Sequence, residues 1–210
     1  MNSHTEKLQL QGAAGAIQAL RDLPEGGQPS RGLAIITHPH PLFGGTMDNK
    51  VVQTMARAFV QTGWTALRFN FRGVGTSAGR HDEGRGEADD LRAVLEQSCA
   101  AGTALCLAGF SFGTFVASQV LAQAAQRNTL EKIVFVGTAA SRFAVAPIDP
   151  ALHESTLVIH GEHDDTVPLA SVMDWARPQL LPVTVIPAGA HFFHGQLPLL
   201  KSLVVRHLMA

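Results

Sequence analysis

The sequence predicts an α/β fold in which a mostly parallel, twisted sheet carries helices on both faces. From residue 32 onward, short apolar runs typical of buried strands alternate with longer runs whose apolar residues recur at helical spacing. This alternation is typical of parallel sheets, because each crossover helix covers a face of the sheet. The length of 210 residues suits one domain, spanning 1–210, that is long enough to bury a core.

The elements follow one another with little interruption. Residues 6–24 alternate loosely around Gly12 and Gly15, which predicts two antiparallel strands at the edge of the sheet. The segment 24–30 is predicted to be a polar loop, and 80–86 a charged, exposed one. Further strands are predicted at 32–37, 64–69, 103–108, 132–136, 156–160 and 182–186. Helices are predicted at 47–62, 87–99, 114–126, 169–177 and 196–208.

Composition and charge exclude several classes of function. A net charge of −1 gives no basic surface for nucleic acid or an anionic membrane. Hydrophobic residues make up 46% of the chain, but no run approaches the ~20 residues of a membrane span. The first seven residues lack the basic and apolar regions of a signal peptide. Cys99 and Cys106 are expected to be reduced, packed thiols, as in a cytoplasmic protein.

The strongest chemical signal lies in the stretch 105–113. An apolar strand runs into Gly-Phe-Ser-Phe-Gly, with Ser111 at its centre, and a helix follows. In this strand–turn–helix context the motif is typical of a nucleophile elbow. Gly109 and Gly113 fit that interpretation, because a side chain at either position would collide with chain packed against the sharp turn. The motif alone does not decide catalysis, since any serine in a glycine-rich turn can match it.

A base and an acid follow later strands, as a serine nucleophile requires. A serine hydroxyl is scarcely ionised near pH 7, so Ser111 needs a base, and the base needs an orienting carboxylate. Asp164 follows the penultimate predicted strand and His191 follows the last. The carboxyl ends of parallel strands meet at one edge of a sheet, so these three residues are predicted to converge there. Asp165 and His194 are the alternatives for acid and base.

The chain from about 32 to 208 resembles small α/β-hydrolase-fold serine hydrolases, in their esterase and dienelactone-hydrolase-like branches. The elbow is one match, and 161–168 fits the family's G-x-x-D-x-x-V-P acid loop. Residues 72–77 fit R-G-x-G-x-S, and 38–50 stand where the family has its oxyanion loop. The loop has the sequence form H-P-H-P-x-x-G-G, which resembles the corresponding loop in a group of small bacterial predicted hydrolases. Ser111, in place of cysteine, argues against dienelactone hydrolase activity itself.

The resemblance implies cleavage of carboxylic esters through an acyl-enzyme, with Ser111 as nucleophile, His191 as base and Asp164 as its partner. It implies no cofactor and no metal. The oxyanion hole would use the N–H of Phe112 and a second backbone N–H from the loop after the first parallel strand. This loop has proline at 39 and 41, which lack an N–H, so His40 is the first choice and Leu42 the second.

Apolar side chains near these loops suggest the substrate. The candidates for lining an acyl or alcohol pocket are Leu42, Phe43, Phe143 and Phe192. The segment between Val136 and Thr156, where this fold commonly inserts a lid, is too short for a cap domain. We therefore expect an open site, a small soluble ester as the partner, and neither nucleic acid nor membrane. The sequence leaves open whether the protein is a monomer or a homodimer.

Several alternatives remain. Thioesters or amides would use the same three residues, and a scaffold that binds without catalysis would be expected to have lost one of them. Three histidine pairs (38/40, 160/163 and 191/194) have spacings seen at zinc sites, but without a fixed third ligand this signal is weak. His38 is expected to hydrogen-bond within its loop, and Arg72 to brace the loop that contains it.

Overall fold

A computed structural model describes residues 5–24 and 29–210, so part of the predicted loop at 24–30 lies outside the described residues. The described residues form one eight-stranded sheet in the order β1-β2-β4-β3-β5-β6-β7-β8. The strands are β1 Thr5–Gly12, β2 Gly15–Asp22, β3 Leu33–Thr37, β4 Thr65–Phe69, β5 Ala104–Phe110, β6 Thr129–Val136, β7 Thr156–Gly161 and β8 Val183–Ile186. β1, β2 and β4 pair in antiparallel fashion, and all later pairings are parallel.

Helices cover both faces of the sheet, which confirms the predicted fold class. They are α1 Lys50–Gln61, α2 Arg85–Ser98, α3 Phe112–Ser118, α4 Leu121–Arg127, α5 Leu169–Ala176 and α6 Leu197–Met209. Successive side chains of a strand point to opposite faces. Ile35 accordingly packs in a core with α2, α3, α4 and α5, whereas Ile36 packs in a second core with α1 and α6. Strands buried on both faces explain the nearly continuous apolar runs.

The topology places the loops after β3 and β5 side by side. β3 and β5 are neighbours, yet the chain leaves β3 for β4 on one side and β5 for β6 on the other. Such a switch point opens a crevice at the carboxyl ends of the strands. The last aligned pair of β3 and β5 joins Thr37 to Gly109, directly before the elbow.

Two local predictions differ from the structure. The helix predicted at 114–126 is two helices, α3 and α4. At the end of α3, the Ser118 hydroxyl donates to the Phe115 carbonyl at 2.7 Å and accepts from the Ala146 N–H at 3.0 Å. A side chain that bonds the backbone in this way competes with the helical pattern.

The prediction of an exposed loop at 80–86 is wrong in part, because Gly84 and Gly86 are buried. A Cβ at Gly86 would collide with the guanidinium of Arg72, and one at Gly84 would collide with the ring of Phe115. Arg72 itself donates to both carboxylate oxygens of Asp90, at 3.1 and 2.8 Å. It braces its loop against α2, as expected.

Between β6 and β7 the chain forms only a 3-10 turn at Pro150–Leu152, so the described residues contain no cap domain there. Cys99 and Cys106 are buried and unpaired, as predicted. Burial raises the pKa of both thiols. None of the described helices combines the length and the apolar character needed to cross a bilayer.

Candidate active site

Ser111 lies in a strained turn between β5 and α3. Its backbone has φ 54° and ψ −120°, a region that non-glycine residues seldom occupy. A Cβ at Gly109 or Gly113 would collide with backbone or with Thr37, which explains both glycines of the motif. The Thr37 hydroxyl lies 3.1 Å from the Ala108 carbonyl and 2.9 Å from the Gly113 carbonyl, and it ties strand to helix. The tertiary contacts around the turn thus compensate its strain.

Ser111, His191 and Asp164 form one hydrogen-bonded chain. The Ser111 Oγ lies 3.1 Å from His191 Nε2, and His191 Nδ1 lies 2.7 Å from Asp164 Oδ2. The three residues are 8%, 3% and 6% exposed, respectively. An ionised carboxylate only accepts hydrogen bonds, so it selects the tautomer with hydrogen on Nδ1. Nε2 is then free to accept the proton of the serine hydroxyl.

The Asp164 carboxylate is held by backbone as well as by His191. Its Oδ1 accepts the N–H groups of Thr166 at 3.0 Å and Val167 at 2.7 Å. Burial alone raises the pKa of Asp164. The hydrogen bond from His191, the charge of that ring and the bond from Val167 outweigh burial and leave the pKa below its ordinary value. The group is therefore a carboxylate near neutral pH.

The alternative acid and base lie elsewhere. Asp165 is exposed, and its side chain receives only a 3.4 Å bond from the Thr166 hydroxyl. His194 is also exposed, and its Nδ1 lies 2.8 Å from the ammonium of Lys50. The structure thus brings Asp164 and His191 to Ser111, and leaves Asp165 and His194 outside the hydrogen-bonded chain.

His160 supports the acid loop, a role that the sequence analysis missed. It is wholly buried, its Nε2 donates to the Val167 carbonyl at 2.8 Å, and the same nitrogen lies 3.4 Å from Asp164 Oδ2. Burial lowers the pKa of His160, which keeps the ring neutral. The sequence signal for this role was the position of His160 in an apolar strand, four residues before Asp164.

No three metal-ligating side chains cluster in the described parts of the chain.

The backbone N–H groups of His40 and Phe112 have no acceptor among the described residues, and the rings of these two residues lie 4.8 Å apart. Phe112 opens α3, where helical N–H groups lack an intrahelical partner. The N–H of Leu42, the other candidate of the sequence analysis, donates to His40 Nδ1 at 3.2 Å. The geometry therefore favours His40 over Leu42.

His38 fixes the root of this loop. Its Nδ1 donates to the Pro39 carbonyl at 2.6 Å, and its Nε2 accepts the N–H of Phe71 at 3.0 Å. The residue is fully buried, and burial lowers its pKa to about 4. A neutral ring with both nitrogens bonded joins the loop after β3 to the loop after β4.

Of the four predicted pocket residues, three are exposed and one is half-buried. Leu42 and Phe43 are 70% and 77% exposed. The partly exposed ring of Phe192 lies 5.1 Å from the His191 ring. Phe143 is half-buried and packs on Phe112, with 5.1 Å between ring centroids.

Of two surface cavities, one lies beside Phe143 and the other lies at the opposite end of the sheet. A groove of about 430 Å³ includes Phe143 and extends to Ser171 and Trp175 on α5. Another, of about 370 Å³, is lined by residues such as Leu8, Leu33 and Thr103 at the opposite end of the strands. Ser111 lines neither of these two cavities, so the chemistry of the hydrogen-bonded residues, and not cavity size, identifies the candidate site.

His81 also belongs to this neighbourhood, although the sequence analysis placed it in an exposed segment. Its ring centroid lies 4.7 Å from that of His40 and 5.6 Å from that of Phe112. Its Nδ1 lies 2.8 Å from the carboxylate of Glu87, which is wholly buried. The available signal was Glu87 itself, three residues after Gly84 at the start of α2, where a glutamate commonly caps a helix.

Comparison with known proteins shows which family the fold belongs to. A family model described as "Alpha/beta hydrolase domain" matches residues 35–198. A serine hydrolase without a lid from Xanthomonas campestris is 35% identical, with a TM-score of 0.87 over 100% of this chain and 95% of that one. An α/β serine hydrolase homologue from Coxiella burnetii is 36% identical, with a TM-score of 0.79 over 99% and 98% of the two chains.

An uncharacterized protein of Rickettsia prowazekii is 35% identical over 159 residues, which are 70% of this chain and 62% of the relative. The chain therefore covers somewhat less than two thirds of that relative's length. The chain belongs to the α/β hydrolase family, and the predicted resemblance to its lidless serine hydrolases is confirmed. This membership supports hydrolase activity.

The burial of His38 predicts a pH-dependent loss of stability. The unfolded chain takes up a proton near the ordinary pKa of 6.5, whereas the folded chain resists it down to about 4. Stability is therefore lost as the pH falls below 6.5. Between pH 7 and pH 5, His38 should lower the free energy of unfolding by about 2 kcal/mol.

Urea unfolding of the wild type and of His38→Gln at both pH values measures this effect. The variant should lose about 2 kcal/mol less than the wild type over the interval, since the other histidines are common to both. Equal losses in the two proteins would show that His38 does not govern the acid sensitivity.

Proposed function

We propose that the protein is a serine hydrolase that cleaves carboxylic esters of small substrates through an acyl-enzyme. The observation that supports this most is the continuous chain of hydrogen bonds from Ser111 through His191 to Asp164. It combines a nucleophile, a base and an orienting acid in the order and geometry that acyl transfer requires. The eight-stranded sheet that carries all three also supports a single catalytic domain.

The first half-reaction transfers the acyl group of the ester to Ser111. The Ser111 Oγ attacks the ester carbonyl carbon while its proton passes to His191 Nε2. Asp164 accepts the hydrogen bond from the Nδ1–H group and so stabilises the imidazolium that forms. The tetrahedral intermediate then collapses, the carbon–oxygen bond to the alcohol breaks, and Nε2 returns the proton to the departing alcohol. The acyl group remains on Ser111.

The second half-reaction repeats these steps with water. Nε2 takes a proton from water as the water oxygen attacks the acyl carbonyl, and it returns the proton to the Ser111 Oγ as the carboxylic acid leaves. In both halves, negative charge develops on the carbonyl oxygen. The N–H groups of His40 and Phe112 are the proposed donors to that oxygen, because neither has another acceptor within the described residues.

A site without a cap favours small substrates. The exposed side chains of Leu42 and Phe43 stand on one loop, and Phe192 stands beside His191. Such a rim gives a short acyl or alcohol group some apolar contact. The described residues between β6 and β7 build no cap that would enclose a long chain.

Covalent labelling tests the proposal directly. A fluorophosphonate should label the wild type at Ser111, and Ser111→Ala should lose the label and about 10⁵-fold or more in kcat. Ser118→Ala, which changes a serine of the same helix region away from the hydrogen-bonded chain, is the matched control and should keep the label. Folded wild type that stays unlabelled would refute serine catalysis and favour a scaffold that only binds.

Paired variants test the assigned acid and base. His191→Ala and Asp164→Asn should each lower kcat by about 10⁴-fold, because the proton acceptor or its tautomer is lost. His194→Ala and Asp165→Asn should remain within about twofold of the wild type. Steady-state hydrolysis of p-nitrophenyl acetate measures all four. Activity that survives His191→Ala but not His194→Ala would reverse the choice of base.

A series of p-nitrophenyl esters tests the substrate size. Acetate and butyrate should be cleaved faster than octanoate and longer esters, because the cleft offers little apolar surface beyond the rim. Phe43→Ala should raise KM for butyrate several-fold, whereas Leu180→Ala, at an 87% exposed position on another loop, should not. A rate that rises steadily with chain length would contradict the open, small-substrate site.

A further inference from the structure

We propose that His81, held in place by Glu87, is a positioning residue that sets the distance between the two N–H groups of the oxyanion hole. This inference rests on the proposed function, since it concerns the N–H groups of His40 and Phe112. His81 does not belong to the hydrogen-bonded set Ser111, His191 and Asp164.

Glu87 is a rigid anchor. Its carboxylate is wholly buried, a costly arrangement unless its oxygens are paired with donors. One oxygen accepts the N–H of Asp82 at 3.0 Å and lies 2.8 Å from His81 Nδ1; the other accepts the N–H of Gly84 at 2.8 Å. Three bonds to one buried carboxylate fix the position of the imidazole of His81 as well as the start of α2.

The fixed ring contacts both proposed donor residues. His81 lies 4.7 Å from the His40 ring and 5.6 Å from the Phe112 ring, and the His40 and Phe112 rings are 4.8 Å apart. The three rings therefore form a closed triangle. Two of its corners carry the N–H groups that would face the oxyanion, and the third is held from outside by Glu87.

The Thr37 hydroxyl connects β3 to α3, but among the described residues no hydrogen bond joins the loop 38–45 to α3. Ring contacts join them instead. Phe143 packs on both His40 and Phe112, and Phe71 packs on both His38 and Phe112. His81 is the ring in this group whose imidazole is hydrogen-bonded to a buried carboxylate, so it adds a fixed contact to the relative position of the two N–H groups. An oxyanion hole requires its donors at about 2.7–3.1 Å from the developing charge. A displacement near 1 Å can cost about 100-fold in rate.

Removal of the ring should therefore reduce catalysis more than binding. His81→Ala should lower kcat for p-nitrophenyl acetate by about 10- to 100-fold and leave KM within about threefold. The inhibition constant of a trifluoromethyl ketone, which forms a tetrahedral adduct on serine, should rise in parallel with the loss in kcat.

Two further variants separate positioning from a general loss of stability. His81→Phe keeps a ring against His40 and Phe112 but leaves Glu87 without one donor. It should lose thermal stability and recover only part of the kcat that His81→Ala loses, because the ring contacts remain but the bond that fixes the ring is gone. His153→Ala removes a half-buried histidine that bonds the Ile148 carbonyl at 3.1 Å, before β7 and at the other end of the sheet. It should lose stability without loss of kcat.

Hydrogen exchange gives a readout that does not depend on turnover. Amides of the peptide 38–47 should exchange faster in His81→Ala than in the wild type. Their exchange rates should be unchanged in His153→Ala. If His81→Ala keeps kcat within twofold and the same exchange, or if His81→Phe is as inactive as His81→Ala, the positioning role is wrong. If no wild-type ester hydrolysis or labelling is found, the proposed function fails, and exchange alone then decides whether His81 orders the loop.

Discussion

The close approach of β3 to the elbow is the constraint on which the site depends. Gly109 and Gly113 leave room for Thr37 to lie against the turn, and the Thr37 hydroxyl bridges the carbonyls of Ala108 and Gly113. This packing helps to hold Ser111 at φ 54°, a conformation that costs of order 1–3 kcal/mol, together with the hydrogen bond from the Ser111 N–H to the Val136 carbonyl at 2.9 Å. The register of β3 with β5 also decides which loop lies next to the serine. The hydrolytic chemistry thus depends first on a backbone contact between neighbouring strands.

Hydrogen bonds from buried polar side chains also fix the loops around this turn. His38 joins the loop after β3 to the loop after β4, and Asp164 draws two N–H groups of its own loop around one oxygen. His160 bonds the Val167 carbonyl from below. Each is a polar side chain whose burial would be unfavourable without these partners, so each fixes a loop in one conformation. Loops that carry reactive groups gain the rigidity that catalysis needs from such bonds.

A second carboxylate–histidine pair lies on the other side of the elbow. Glu87 and His81 are bonded much as Asp164 and His191 are, but the His81 ring faces the rings of His40 and Phe112 and not the Ser111 hydroxyl. Similar chemistry can therefore serve two purposes, determined by what the imidazole contacts. One pair is suited to accept a proton, and the other to hold two loops at a fixed separation.

The sequence by itself determined the fold class, the strand order along the chain and the residues of the hydrogen-bonded chain. Apolar periodicity, the glycines around Ser111 and the positions of Asp164 and His191 after successive strands are local features, and they are readable without coordinates. The structure favours His40 over Leu42 as the donor, because the Leu42 N–H already donates to His40 Nδ1 whereas the His40 N–H has no acceptor among the described residues. It also decided the contact of His81 with the buried carboxylate of Glu87 and with the rings of His40 and Phe112, because these groups meet only when the start of α2 and the loop after β3 pack together. Contacts between segments distant in sequence leave no periodic pattern, and for that reason only the folded chain reveals them.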